Sequence, residues 1–130
     1  MVENPYLSQV SRVFQNSEII FEEGSYGEEM YIIHSGVVEL VKKTPEGEVI
    51  VATLQPGEFF GEMALVDNSP RSVKSVAGAN RTRLLALDRN KFMFLVSHQP
   101  AFALTVMHVL CQRIRAMNAR LSQLERGSQE

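Results

Sequence analysis

A glycine, a carboxylate and a guanidinium fall close together in this 130-residue chain: Phe59-Phe60-Gly61-Glu62-Met63-Ala64-Leu65 is followed, after a polar turn, by Pro70-Arg71-Ser72. In chemical terms the stretch offers a phosphate cradle, an acceptor for a sugar hydroxyl and a counter-charge, which reads as a pocket for a small anionic sugar phosphate. Phe59-Phe60 has the character of a strand end, Gly61 lets backbone approach a ligand, and Glu62 to Val66 has the composition of one or two helical turns. Amides at such a helix start, near Gly61, Glu62, Met63 and Ala64, lack intrahelical acceptors and favour an anion. Glu62 has two readings here: a charge that faces the positive end of the helix, or an acceptor for a ribose hydroxyl.

Arg71 weighs most in choosing between them. A guanidinium grips two phosphate oxygens at once, and Pro70 stiffens the backbone that presents it. Ser72 adds a neutral donor beside it. Asp67-Asn68-Ser69 is ordinary turn chemistry with no further role.

The rest of the chain must position these groups. Its length suits one domain with a core of its own, and 45 % hydrophobic and 22 % charged residues are the proportions of a globular protein. A net charge of −2 argues against coating nucleic acid or an acidic membrane by bulk electrostatics. The single cysteine, Cys111, has no internal partner, so a cytoplasmic setting is expected. The N-terminus lacks a basic region followed by an apolar run, and no apolar stretch is long enough to span a bilayer, so no membrane contact by this chain is expected.

Asn4 to Val13 reads as a short helix, with Asn4 as cap and Pro5 at its first position. Ser17–Phe21, Glu29–His34, Val37–Lys43, Val49–Leu54, Ser72–Ala77 and Thr82–Leu87 read as strands, separated by turns that contain Gly, Pro or Asn. Short strands at this spacing predict a compact antiparallel barrel or roll rather than alternating βαβ units. From Asp88 the period becomes helical: Asp88 caps a helix to about Ser97, Pro100 restarts the chain, and a longer helix runs to about Glu125, where Gly127 ends it.

Phe60-Gly61-Glu62-Met63-Ala64-Leu65 with Pro70-Arg71-Ser72 resembles the phosphate-binding cassette of the cyclic nucleotide-binding domain family, which includes catabolite activator proteins, regulatory subunits of cAMP-dependent protein kinase and nucleotide-gated channels. Phe21-Glu22-Glu23-Gly24, Met30-Tyr31-Ile32-Ile33-His34-Ser35-Gly36 and Leu54-Gln55-Pro56-Gly57-Glu58-Phe59 fall where that family places strands and glycine turns, so the resemblance covers roughly residues 8 to 100. It implies a mainly β fold with flanking helices, an antiparallel β-roll of jelly-roll-like, double-stranded β-helix type. Residues 1–130 would form one domain: an N-terminal helix over about 1–16, a roll over 17–87 with the cassette at 60–72, and C-terminal helices over 88–126.

The resemblance also implies a function: a regulatory sensor whose cyclic nucleotide moves the C-terminal helices and an output partner or domain. cAMP is the expected ligand and no other cofactor is. Serine rather than threonine at position 72 accompanies cAMP use in the family, although its hydroxyl keeps cGMP open. Family alignment brings Met117 and Asn118 to the part of the long helix that approaches the purine, where an amide pairs with a base edge and a thioether packs on its face.

Met107, Leu110, Ile114, Met117, Leu121 and Leu124 recur at steps of three and four, a heptad seam that must be covered. Packing on the chain's own roll is one reading; a parallel homodimer through this helix, as in the catabolite activator branch, is preferred. Arg113, Arg115 and Arg120 opposite the seam read as a solvated face, and no nucleic acid is expected on this chain itself.

Other classes fit less well. A metal enzyme on a small barrel needs converging histidines, and His34, His98 and His108 do not converge; Cys111 on the helix reads as a packing thiol. No catalytic or metal residue is assigned. The alternatives left are a cGMP sensor, the effector part of a transcription regulator without its DNA-reading part, and a ligand-free dimerisation or docking module.

Overall fold

The computed structural model describes residues 9–129, with side chains to Gly127, and the chain divides into two compact units, Met1–Lys91 and Phe92–Glu130. The first holds eight strands: β1 Ser11–Phe14, β2 Ile19–Phe21, β3 Met30–Ser35, β4 Val38–Thr44, β5 Gly47–Leu54, β6 Phe59–Phe60, β7 Lys74–Ala77 and β8 Thr82–Leu87. A one-turn helix, α1 Met63–Val66, sits between β6 and β7; α2 Arg89–His98 and α3 Pro100–Gln129 follow.

The strands form two antiparallel four-stranded sheets, in the orders β1-β8-β3-β6 and β2-β7-β4-β5. This is the antiparallel β-roll expected from the run of short strands. Alternation along β8 explains the arrangement: Thr82, Leu84 and Ala86 are buried, whereas Arg83 and Leu85 are half-buried on the other face. Tyr31, Ile33, Phe60, Leu84 and Ala86 from the first sheet meet Val38 and Leu54 from the second in one core cluster. Side chains buried as completely as Ile33, Val38 and Leu84 each contribute about 1.5–3 kcal/mol, which sets the roll as a rigid platform.

The two ends of the chain differ most from the sequence reading. Ser11–Phe14, expected as the end of an N-terminal helix, is a strand: Ser11 pairs with Leu85 and Phe14 with Thr82 across β8. Helix remains only at Gln9 and Val10 among the described residues, and Asn4 to Ser8 lie outside them. The strand wins because β8 offers a full ladder to Arg12 and Val13, residue types whose helix propensity is easily overridden by tertiary pairing. The roll therefore begins at residue 11 rather than 17. Gly127 does not stop the last helix, which continues to Gln129 with Gly127 outside the set of positive-φ glycines. A lone glycine lowers helix stability by about 1 kcal/mol and terminates a helix only when it adopts the left-handed conformation.

Asp88 caps α2 as expected, its Oδ1 accepting the Lys91 N–H at 2.8 Å. In the helical unit Phe92 and Phe102 rings pack at 5.7 Å. Along α3 Met107, Ile114, Met117, Leu121 and Leu124 are all exposed, and Leu110 is half-buried. Among the described residues no single helix is long and apolar enough to cross a membrane.

Candidate functional site

The site is assembled where β6 ends. Phe59 and Phe60 are buried and anchor the strand, after which Gly61 turns the chain at φ +76°. Glu62 is the N-cap of α1, and the turn is closed by Ala64 N–H donating to the Gly61 carbonyl at 3.2 Å and Leu65 N–H to the Glu62 carbonyl at 3.0 Å. The Glu62 side chain makes no capping hydrogen bond. At the other end of α1, Arg89 donates to the Leu65 carbonyl from Nε at 3.0 Å and Nη2 at 2.8 Å, satisfying an acceptor that a single turn leaves open.

Arg71 lies inward although its neighbours Pro70 and Ser72 are exposed; only 8 % of it reaches solvent. Its backbone is held on both sides, the N–H donating to the Ser25 carbonyl and the carbonyl accepting from Gly24 N–H, each at 2.7 Å. Its guanidinium donates from Nη1 to the Gly61 carbonyl at 3.1 Å and from Nη2 to the Glu29 carbonyl at 2.8 Å. Its Cζ lies 4.3 Å from the centroid of the Phe21 ring, a cation–π contact. A β-carbon at Gly27 would come within 2.5 Å of Nη2, so glycine there is what makes room for the side chain.

The electrostatics favour an anion. Arg71 Nε is buried and has no hydrogen-bond partner among the described residues. Burial lowers the Arg71 pKa from its usual value, with the Glu29 carboxylate acting in the opposite direction. A guanidinium stays protonated all the same. The Glu29 carboxylate is clasped by Arg12, with Nη1 to Oε1 at 2.7 Å and Nη2 to Oε2 at 2.8 Å. Arg71 thus meets the Glu29 backbone carbonyl, while the carboxylate's ion pair is with Arg12. Burial also pushes the Tyr31 phenol up, helped by Glu29, so it remains a neutral hydroxyl.

Ser72 is held by a residue that sequence reasoning missed. Lys42 on β4 donates from Nζ to the Ser72 carbonyl at 3.0 Å and to Glu23 Oε2 at 3.1 Å. Glu23 also accepts the Lys43 backbone N–H at 3.0 Å, and that bond, ahead of the Lys42 ammonium, holds its carboxyl below the usual range. Glu29, Gly27 and Lys42 are the additions the structure makes to the site. Gly27, in a loop only three residues beyond Gly24, was the one visible signal for them.

Gly61 and Arg71 are thus in direct contact, and Glu62, Met63 and Ala64 follow Gly61 on α1 while Ser72 follows Arg71. The Ala64 amide, expected to face a phosphate, is engaged by Gly61 in this geometry. Met117 and Asn118 lie on α3 in the helical unit, both exposed.

A family model described as the cyclic nucleotide-binding domain matches residues 11–99. The cyclic AMP receptor protein of Thermus thermophilus is 36 % identical over 114 residues, which is 87 % of this chain and 52 % of that relative. The crystal structure of the Thermus thermophilus catabolite activator protein superposes with a TM-score of 0.79 at 35 % identity, covering 92 % of this chain and 57 % of the other. The EAL enzyme Bd1971 is similar in its cAMP-bound form, with a TM-score of 0.60, 32 % identity and coverage of 86 % of this chain and 30 % of the enzyme. Its cGMP-bound form gives 0.59, 34 %, 81 % and 28 %. The chain spans about half the length of the curated relatives first matched, 52 % and 50 %.

Proposed function

Since the chain belongs to the cyclic nucleotide-binding domain family, we propose that its cassette binds a cyclic purine nucleotide, cAMP before cGMP, and acts as a sensor rather than an enzyme. The observation that carries this reading is the buried Arg71 guanidinium, whose Nε lacks a partner among the described residues while the Glu29 carboxylate is ion-paired with Arg12. A buried charge without full compensation costs several kcal/mol, which an anionic ligand offsets.

In this reading Arg71 and the Ser72 hydroxyl hold the cyclic phosphate, with backbone amides of Gly61, Glu62, Met63 and Ala64 around it. Ala64 N–H exchanges its bond to Gly61 for the phosphate. Glu62, at the N-cap of α1 next to Gly61, accepts the ribose 2′-hydroxyl. Met117 and Asn118 are the proposed contacts for the purine. Two Arg89 bonds to Leu65 tie α1 to the start of α2, so a shift of the cassette on binding reaches the C-terminal helices.

The exposed seam of α3 supports a homodimer through that helix, placed in the cytoplasm. An output domain or partner completes the device, in keeping with relatives about twice as long. A cGMP sensor is the second reading, because Ser72 keeps a hydroxyl and Bd1971 occurs in both liganded forms. Calorimetric titration with cAMP, cGMP and 5′-AMP tests the proposal. Tighter binding of cAMP than of cGMP, with 5′-AMP weaker than both, is the expected order. Absence of binding by either cyclic nucleotide returns the chain to a docking role.

A further inference from the structure

A grip on phosphate by Arg71 requires that its guanidinium stay open to a ligand, yet one residue that supports it carries a charge of the opposite sign. Glu29 offers its backbone carbonyl to Arg71 Nη2 at 2.8 Å, immediately before β3. The carboxylate of the same residue is necessarily near. It opposes the effect of burial on the Arg71 titration, which places it within electrostatic reach of the guanidinium. A carboxylate free to turn onto Arg71 acts as an internal anion and competes with any phosphate.

That carboxylate is engaged elsewhere. Arg12 takes both of its oxygens, Nη1 on Oε1 and Nη2 on Oε2, in a fork that fits the carboxylate plane. The sheet explains how the two side chains meet. β8 lies between β1 and β3. Arg12 is opposite Leu84, Tyr31 is opposite Ala86, and Glu29 falls two residues before Tyr31, so Arg12 and Glu29 stand on the face of the sheet that carries the core cluster. The ion pair therefore reaches across β8, from β1 to the end of the strand that supports Arg71. The Glu29 side chain is 21 % exposed against 48 % for Arg12, so without Arg12 the carboxylate has limited access to water as an alternative partner.

We propose that Arg12 is a positioning residue for the anion site: it sequesters the Glu29 carboxylate, so that Glu29 supports Arg71 through its carbonyl alone and leaves the guanidinium to the ligand's phosphate. The identity of that ligand rests on the cyclic nucleotide reading above. Arg12 acts through Glu29 and not by contact with the ligand. Ion pairs with one partner this exposed contribute little to stability, so the effect of Arg12 falls mainly on binding.

Two variants of the full chain test this. Arg12→Met keeps an apolar stem and frees the carboxylate, whereas Arg12→Met combined with Glu29→Gln also removes the competing charge and retains the Glu29 backbone carbonyl. Calorimetric titration with cAMP is expected to show affinity lower by roughly threefold to tenfold in Arg12→Met, with most of that loss recovered in the double variant. A second readout needs no ligand. The Arg71 Nε–H resonance, identified by its disappearance in Arg71→Ala, shifts in Arg12→Met and returns toward the parent position in the double variant. Circular dichroism melts show that each protein is folded. An ion pair that serves structure alone gives a double variant as weak as Arg12→Met, and that result overturns the proposal, as does an Arg12→Met protein whose resonance and affinity match the parent. If the parent binds no cyclic nucleotide, the ligand reading falls by itself, and the shift and return of the Arg71 resonance still decide whether Arg12 keeps Glu29 from Arg71.

Discussion

Arg71 meets Gly61 twice over: its Nη1 donates to the Gly61 carbonyl at 3.1 Å, and a β-carbon at position 61 would lie 2.8 Å from that same nitrogen. The glycine also sits at φ +76°, so alanine there strains the backbone as well as the guanidinium. Gly61→Ala is expected to lower stability by about 1–2 kcal/mol and to weaken cyclic nucleotide binding roughly tenfold. Urea denaturation and calorimetry read the two effects separately.

Gly27 offers a way to move Arg71 with the turn at Gly61 left intact. An added β-carbon meets Nη2 at 2.5 Å, and Gly27 is not among the positive-φ residues. Gly27→Ala should therefore weaken binding with a smaller loss of stability than Gly61→Ala. Equal binding by the variant and the parent would detach the Glu29 side of the carbonyl cage from ligand recognition.

Lys42 holds the Ser72 carbonyl and the Glu23 carboxylate at once. Lys42→Met keeps the aliphatic stem and removes the donor. Binding is expected to weaken about twofold to tenfold, the range of one hydrogen bond. A titration alongside Ser72→Ala shows whether the two effects overlap, as they do if Lys42 works through Ser72.

The same clamp has a pH signature. The Glu23 carboxyl is held below its usual 4.5, first by the Lys43 N–H and then by Lys42. A depressed folded value means that the contribution is present above the unfolded value and is lost as pH falls through the lowered one. Asp67, lowered by Ser69, titrates in the same acid window, so the Glu23 part is read by difference. Glu23→Gln is expected to flatten part of the acid limb of the stability curve and to leave a constant offset from the parent between about pH 6 and 8.

How far the sequence displays this structure depends on the range of the interactions. Local signals were legible: Thr82–Leu87 is a strand at the expected bounds, Asp88 caps its helix, and Glu62 to Val66 forms the single turn after Gly61. The strand at Ser11–Phe14 was not, because its identity comes from β8, some seventy residues away in the chain. Arg71 stood out by type and context, but its cage did not. Its acceptors are the backbone carbonyls of Gly61 and Glu29, and every residue carries a carbonyl, so no side-chain pattern marks which one a fold will present.

The central claim is that the buried Arg71 guanidinium binds the ligand's phosphate. Calorimetric titration of cAMP into the parent and Arg71→Ala, with circular dichroism melts to establish that both are folded, tests it most directly. Loss of one charge-assisted bond predicts a dissociation constant higher by roughly tenfold to a hundredfold in the variant. A folded Arg71→Ala protein that binds cAMP as tightly as the parent contradicts it.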